Sequence, residues 1–210
     1  MIRILVADDH AVVRQGVKQI LADVQDMTVK DEAQNGSETL KKVAENEYDV
    51  VLLDISMPGR SGLEVLEDIK TQHPKLAVLI LSMHPEEQYA VRALRAGASG
   101  YLTKASAPQE LIGAIRKVAG GGKYVTSSLA EKLADELEID TEKLPHERLS
   151  NREHQVMLML AEGKSVSDIA DELCLSVKTI STYRTRVMSK MGMKKNAELT
   201  LYAVHNKLIN

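Results

Sequence analysis

Through its first 120 residues the chain alternates short, continuous apolar runs with longer stretches whose apolar positions recur every three or four residues. The runs at 2–7, 50–53, 77–81 and 100–102 are too short for helices and too continuous for half-exposed strands, so they predict strands buried on both faces. A further strand near 28–33 is weaker. The stretches 10–22, 37–46, 61–72, 85–96 and 106–119 carry helical spacing, and two of them open on capping boxes, Ser61-x-x-Glu64 and Ser106-x-x-Gln109. A strand-helix unit repeated five times predicts an α/β fold: a five-stranded parallel, doubly wound sheet with helices on both faces and ligands at the carboxyl ends of its strands.

Gly120-Gly121-Gly122 ends this pattern, because three flexible residues are costly inside a helix. Residues 127–137 have helical spacing but are acidic, and Pro145 closes them. From Leu149 onward the pattern is helical throughout. Ser150-x-x-Glu153 is a capping box, Gly163 ends that helix, Ser165 and Ser176 start the next two, Gly192 ends the third, and Asn196 is placed to cap a last helix through Asn206. The expected organisation is a domain at 1–120, a partly helical linker at 121–145 and an all-α four-helix domain at 146–210.

Composition narrows the function classes. Hydrophobic residues make 44% of the 210, enough for real cores, and charged residues make 27%, near the globular average. Six Tyr with no Phe and no Trp exclude a platform on which single-stranded bases stack. The single cysteine, Cys174, cannot form an intramolecular disulfide, and no secretory leader or apolar run near 20 residues is present, so a cytoplasmic protein without a membrane span is expected. The mild net charge of −3 hides an asymmetry: residues 173–210 hold seven basic residues against one acid, Glu198, which marks that end for a polyanion.

Strand ends are where a doubly wound sheet places its chemistry. Asp8 and Asp9 follow the first strand, Asp54 the third, Ser82 ends the fourth and Lys104 follows the fifth. Three carboxylates converging on one volume repel one another unless a cation lies between them, and a hard ion such as Mg²⁺ suits that donor set. A hydroxyl and an ammonium opposite would cradle a phosphoryl group, and a carboxylate there can itself be the nucleophile.

These residues, in this order, resemble the receiver domain of two-component response regulators over 1–120, which implies a flavodoxin-like fold. The resemblance implies that Asp54, in Leu-Leu-Asp54-Ile-Ser-Met-Pro-Gly, accepts a phosphoryl group from a sensor histidine kinase. Asp9 and Asp54 would ligate Mg²⁺ directly, Asp8 would act through water, and Ser56 would lend its backbone carbonyl. Ser82 and Lys104 would bind the phosphoryl oxygens, and Tyr101 would switch rotamer. Ala105 stands where many receivers have proline. Met83 and His84 would border the pocket. The six His, at 10, 73, 84, 146, 154 and 205, have no zinc-like spacing and are expected at the surface or at caps.

The helix expected at 177–191 places Ile180, Val187 and Met191 on one stripe with Tyr183 at its edge. Lys178, Ser181, Thr182, Thr185, Arg186 and Ser189 lie opposite. Such a polar, small and basic face suits the major groove of double-stranded DNA, and the preceding helix and short turn complete a helix-turn-helix layout. Arg184 lies near the apolar stripe and is expected to snorkel or pair with an acid, whereas Lys190, closing the helix, joins the expected DNA contacts. The stretch from Leu149 to Gly192 resembles the LuxR-type DNA-binding domain, and with the receiver the chain resembles the NarL/FixJ group of response regulators; Tyr183-Arg184 is similar to the GacA/UvrY-like branch. That resemblance implies a transcription regulator that forms homodimers when phosphorylated or DNA-bound, with the last helix as core or dimer contact. The rivals are a Mg²⁺-dependent phosphatase or phosphotransferase acting on a small molecule, and a regulator that binds DNA regardless of phosphate.

Overall fold

The computed structural model describes residues 1–126, 129–131 and 144–209. The chain forms two compact units, Met1–Leu133 and Ala134–Asn210. In the first, strands β1 (Ile2–Ala7), β2 (Met27–Ala33), β3 (Val50–Leu53), β4 (Ala77–Ser82) and β5 (Gly100–Thr103) make one parallel sheet in the order β2-β1-β3-β4-β5. Helices α1 (Ala11–Ala22), α2 (Gly36–Glu45), α3 (Gly62–Gln72), α4 (Glu86–Arg95) and α5 (Pro108–Ala119) connect and follow the strands.

The pleat sorts the apolar runs between two faces. Ile4, Val6, Val50, Leu52, Leu79 and Leu102 form one core with Val17 and Leu21 of α1 and Leu111, Ile115 and Val118 of α5. Residues of the other parity, Leu5, Val51, Leu53, Val78 and Ile80, are equally buried, which is why these strands read as continuous rather than alternating. β2 was weaker in sequence because it is an edge strand whose middle residues are only partly covered.

Helix starts follow local chemistry. Ser61 caps α3 in a full capping box with Glu64, and Asn35 caps α2 by accepting from the Glu38 amide. The box expected at Ser106 does not form: α5 begins at Pro108, whose fixed φ and missing N–H suit the first turn, so Ala107 is the cap residue and Ser106 lies one position too early, beside the Thr103 hydroxyl.

The chain stays on the sheet beyond α5. The Tyr124 amide donates to the Ser99 carbonyl (2.8 Å), the Tyr124 hydroxyl donates to Glu110, the Thr126 hydroxyl donates to Glu86 of α4 (2.6 Å), and Leu129 is buried. Gly100 makes this approach possible, since a Cβ there would stand 2.6 Å from the Tyr124 carbonyl oxygen. Residues 129–131 are helical, as expected; the rest of the helix expected through 137 lies outside the described residues.

Among the described residues of the second unit a 3-10 turn, Pro145–Arg148, is followed by α6 (Asn151–Ala161), α7 (Val166–Glu172), α8 (Val177–Met191) and α9 (Asn196–His205). Ser150, Ser165 and Ser176 cap α6, α7 and α8 as their sequences predict. Asn196 does not cap α9. It is the first helical residue, and Glu198 instead accepts the Lys194 and Lys195 amides (2.7 and 3.3 Å). Gly192 ends α8 in the left-handed region, φ +68. No described helix is long and apolar enough to cross a membrane.

Candidate functional site

Parallel register aligns the ends of the strands. Ala7 pairs with Leu53, Leu53 with Ile80, and Ser82 with Thr103, so Asp8, Asp54, Ser82 and Lys104 leave the sheet along one rim. Backbone bonds continue past the strands: the Asp54 amide donates to the Ala7 carbonyl (2.9 Å) and the Lys104 amide to the Ser82 carbonyl (2.8 Å). The loop after β3 then folds back tightly on Asp54. A Cβ on Gly62 would lie 1.9 Å from the Asp54 carbonyl oxygen, and the Gly62 amide donates to the Ile55 carbonyl. Gly62→Ala is therefore expected to destabilise the first unit by about 3 kcal/mol or more through forced backbone displacement, read by urea unfolding; an unchanged midpoint would refute this close approach.

The side chains converge as the strand ends do. The Lys104 ammonium, 6% exposed, sits 2.7 Å from Asp8 Oδ2 and 2.8 Å from Asp54 Oδ2. Asp8 and Asp54 are buried, Asp9 is half-buried, and Asp54 Oδ1, itself buried, has no hydrogen-bond partner. One ammonium cannot compensate a group of three carboxylates. Burial accordingly pushes the Asp54 carboxyl above its usual range, against the opposing pull of Lys104. Burial would lower the Lys104 ammonium, but Asp54 and Asp8 outweigh it and hold it above its ordinary value. Donor atoms of Asp8, Asp9, His10 and Asp54 all lie within 4.8 Å of one another. This acidic pocket is compatible with a divalent metal ion, for which the unsatisfied Asp54 oxygen supplies an open donor.

Ser82 is fully buried, its Oγ accepting the His84 amide (3.2 Å). Tyr101 is also fully buried and donates its hydroxyl to the His84 carbonyl (2.8 Å). The His84 ring nitrogen Nε2 lies 2.9 Å from Ser56 Oγ, and its ring lies 4.9 Å from that of Tyr89. The loop after β4 therefore ties together the serine, the aromatic residue and the loop that follows Asp54. Met83 points outward, 72% exposed.

Sequence reasoning missed the part that two residues play at the acidic cluster. His10 is exposed at the N-cap position of α1, as a surface or capping residue was expected to be, but its side chain makes no capping bond; instead its Nδ1 lies 3.2 Å from Asp8 Oδ1 and 2.9 Å from Asp9 Oδ1. Arg14, one turn into α1, is buried and donates to the carbonyls of Asp8 (2.8 Å) and Asp9 (3.3 Å) while pairing with Glu32. His84, expected to border the pocket, acts through both its backbone and its ring. The only sequence signal for the first two was their helical proximity to the Asp pair.

In the second unit α7, a short turn and α8 make the helix-turn-helix. Cys174 turns the chain in the left-handed region, φ +52. Ile180, Val187 and Met191 are buried as expected, joined by Met188. Lys178, Ser181, Thr182, Thr185, Arg186, Ser189 and Lys190 are all exposed on α8. Thr182 and Thr185 donate their hydroxyls back to the Lys178 and Ser181 carbonyls (both 3.0 Å), which leaves their oxygens as acceptors. Lys190 is not idle: it pairs with buried Glu153 at 2.6 Å. Arg184 pairs with an amide rather than the expected acid, its Nε donating to Asn196 Oδ1 (3.1 Å), because α9 starts alongside it. On α9, Leu199 and Ala203 are core, while Leu201 (72% exposed) and Val204 face outward.

A parallel five-stranded unit with an acidic rim, followed by a helix-turn-helix unit, is the architecture of a regulator with a receiver-type domain and a DNA-binding domain. Residues 4–116 match the response regulator receiver domain, and residues 147–203 match the luxR family of bacterial regulatory proteins. The chain is 39% identical to the response regulator UvrY of Escherichia coli K12 over its whole length and 97% of that protein. It is also 39% identical to the response regulator GacA of Pseudomonas viridiflava, covering 99% of that protein. Among solved structures it is similar to RcsB of Salmonella enterica serovar Typhimurium bound to promoter P1flhDC in the presence of phosphomimetic BeF3⁻, with 29% identity, TM-score 0.66, and 96% and 97% of the two chains covered. The chain belongs to the response regulators with a LuxR-type DNA-binding domain, a family of transcription regulators and not of catalytic enzymes.

Proposed function

We propose that Asp54 is the phosphoacceptor of a cytoplasmic two-component regulator, and that its phosphorylation by a sensor histidine kinase promotes binding of a homodimer to double-stranded DNA. The observation that carries this reading is the division of labour at Asp54: Oδ2 is held by Lys104 while Oδ1 is buried without a partner. Asp9, Asp54 and the Ser56 backbone carbonyl would hold Mg²⁺, with Asp8 acting through water. When bound, the ion neutralises charge on the acidic cluster and on the incoming phosphoryl oxygens.

Asp54 Oδ1 attacks the phosphorus of a phosphohistidine; the P–N bond breaks, its electron pair returns to the imidazole, and an aspartyl phosphate remains. Lys104 and Ser82 then bind phosphoryl oxygens, which draws Lys104 away from Asp8. Ser82 and Tyr101 both bond to His84, so a shift of Ser82 toward the new charge displaces the segment that fixes Tyr101. On DNA, Lys178, Arg186 and Lys190 meet phosphates, while Ser181, Thr182, Thr185 and Ser189 face base edges. Leu201 and Val204 form the contact between two copies. Promoter footprints with and without beryllofluoride test the reading: protection is expected at lower protein concentration with the phosphomimetic. Equal protection would favour the phosphate-independent regulator.

A further inference from the structure

The acidic cluster contains a donor of a different chemical kind. His10 Nδ1 lies 2.9 Å from Asp9 Oδ1 and 3.2 Å from Asp8 Oδ1, and belongs to the group of four donors within 4.8 Å that includes Asp54. Donors about 2.1 Å from a common ion stand roughly 3 Å apart when adjacent and roughly 4.2 Å apart across it, so this cluster needs only small adjustments to surround one ion. An independent sign of a ligand is Asp54 Oδ1, which is buried and without a hydrogen bond. The His10 side chain is 62% exposed, so its ring can turn toward or away from the carboxylates without disturbing the core.

Ion chemistry decides which way it turns. Mg²⁺ prefers oxygen donors and keeps several waters, so it gains little from an imidazole. Co²⁺, Ni²⁺ and Zn²⁺ accept nitrogen readily and bind mixed nitrogen and carboxylate sites more tightly than all-oxygen ones. We propose that His10 is a selective fourth ligand of the Asp8, Asp9 and Asp54 cluster: the pocket holds Mg²⁺ through oxygen alone and takes borderline transition ions through the His10 nitrogen as well. The same carboxylate then serves two classes of ion, and a transition ion excludes Mg²⁺ from Asp54.

This inference rests on the proposed divalent-ion role of the pocket, and the test separates the two. Untagged full-length protein and its His10→Asn variant are titrated with Co²⁺ and, separately, with Mg²⁺ by calorimetry, and the visible Co²⁺ spectrum is recorded. Asn is favourable at a helix N-cap, so the variant keeps the start of α1. Expected are a loss of Co²⁺ affinity of about tenfold or more in His10→Asn, a shift of its visible bands, and Mg²⁺ affinity changed by less than about twofold. An unchanged Co²⁺ affinity and spectrum overturns the inference. So does an equal loss for both ions, which would mean that His10 only orients the carboxylates. If the wild-type protein binds Co²⁺ through His10 but not Mg²⁺, the ligand role of His10 stands while the Mg²⁺ role, and with it the choice between two classes of ion, fails; if it binds neither, both fail.

Discussion

Asp54→Asn is expected to abolish covalent labelling by a small phosphodonor such as acetyl phosphate while leaving the apo protein as stable as the wild type, or more so. The two outcomes have separate causes. Labelling needs an anionic oxygen at the end of β3, and the amide removes that nucleophile without changing the shape of the side chain. Stability moves the other way because burial pushes the Asp54 carboxyl up. A carboxyl whose pKa is raised on folding favours its protonated form, so the ionised group opposes the folded state and stability falls as pH rises through the unfolded value toward the raised folded one. The neutral amide removes that opposition and the repulsion from Asp8, while Lys104 keeps Asp8 at 2.7 Å. Autoradiography after labelling and thermal melts in chelator read the two effects. Retained labelling at wild-type stoichiometry would move the phosphoacceptor away from Asp54.

Lys178→Ala and Arg186→Ala are expected to weaken binding to every DNA sequence and to reduce the salt dependence of binding, each by about 0.9 in the slope of log K against log salt. Both side chains are exposed on the outer face of α8, and no acid among the described residues pairs with either. Lys190 provides the contrast. It pairs with buried Glu153, so Lys190→Ala strands a buried carboxylate and should lower the melting temperature of the second unit as well as affinity. Ser181→Ala should instead alter preference among operators with little change of slope. Fluorescence anisotropy over a salt series resolves these cases, and an unchanged slope in the double Lys178→Ala, Arg186→Ala variant would remove both from the phosphate contacts.

What sequence could show followed the range of the interactions involved. β3 was readable to the residue because a strand buried on both faces has no polar interruption, and β1 because its buried stretch after Arg3 is equally continuous. Serine caps at 61, 150, 165 and 176 were readable because each capping bond spans three residues. Ser106 misled because Pro108 offered a competing start, and Asn196 because the helix begins one residue earlier than an Asn196 cap requires, with Lys195 at the cap position and Glu198 reaching back to the Lys194 and Lys195 amides. The acidic rim was legible since a parallel register turns consecutive strand ends into neighbours in space. Contacts bridging separate loops were not: the bond from His84 to Ser56 spans 28 residues and that from Lys190 to Glu153 spans 37, and no periodicity encodes either. Leu201 and Val204 were overlooked for a different reason, since the apolar residues of α9 occupy more than one face and spacing alone did not say which would stay exposed.

The left-handed turn before α8 has a practical use. Cys174 is the chain's single thiol and it is exposed, so a maleimide fluorophore attaches at one point, between the two helices of the DNA reader, with no engineered residue. The native sequence thus carries its own labelling site for following association with an operator in real time.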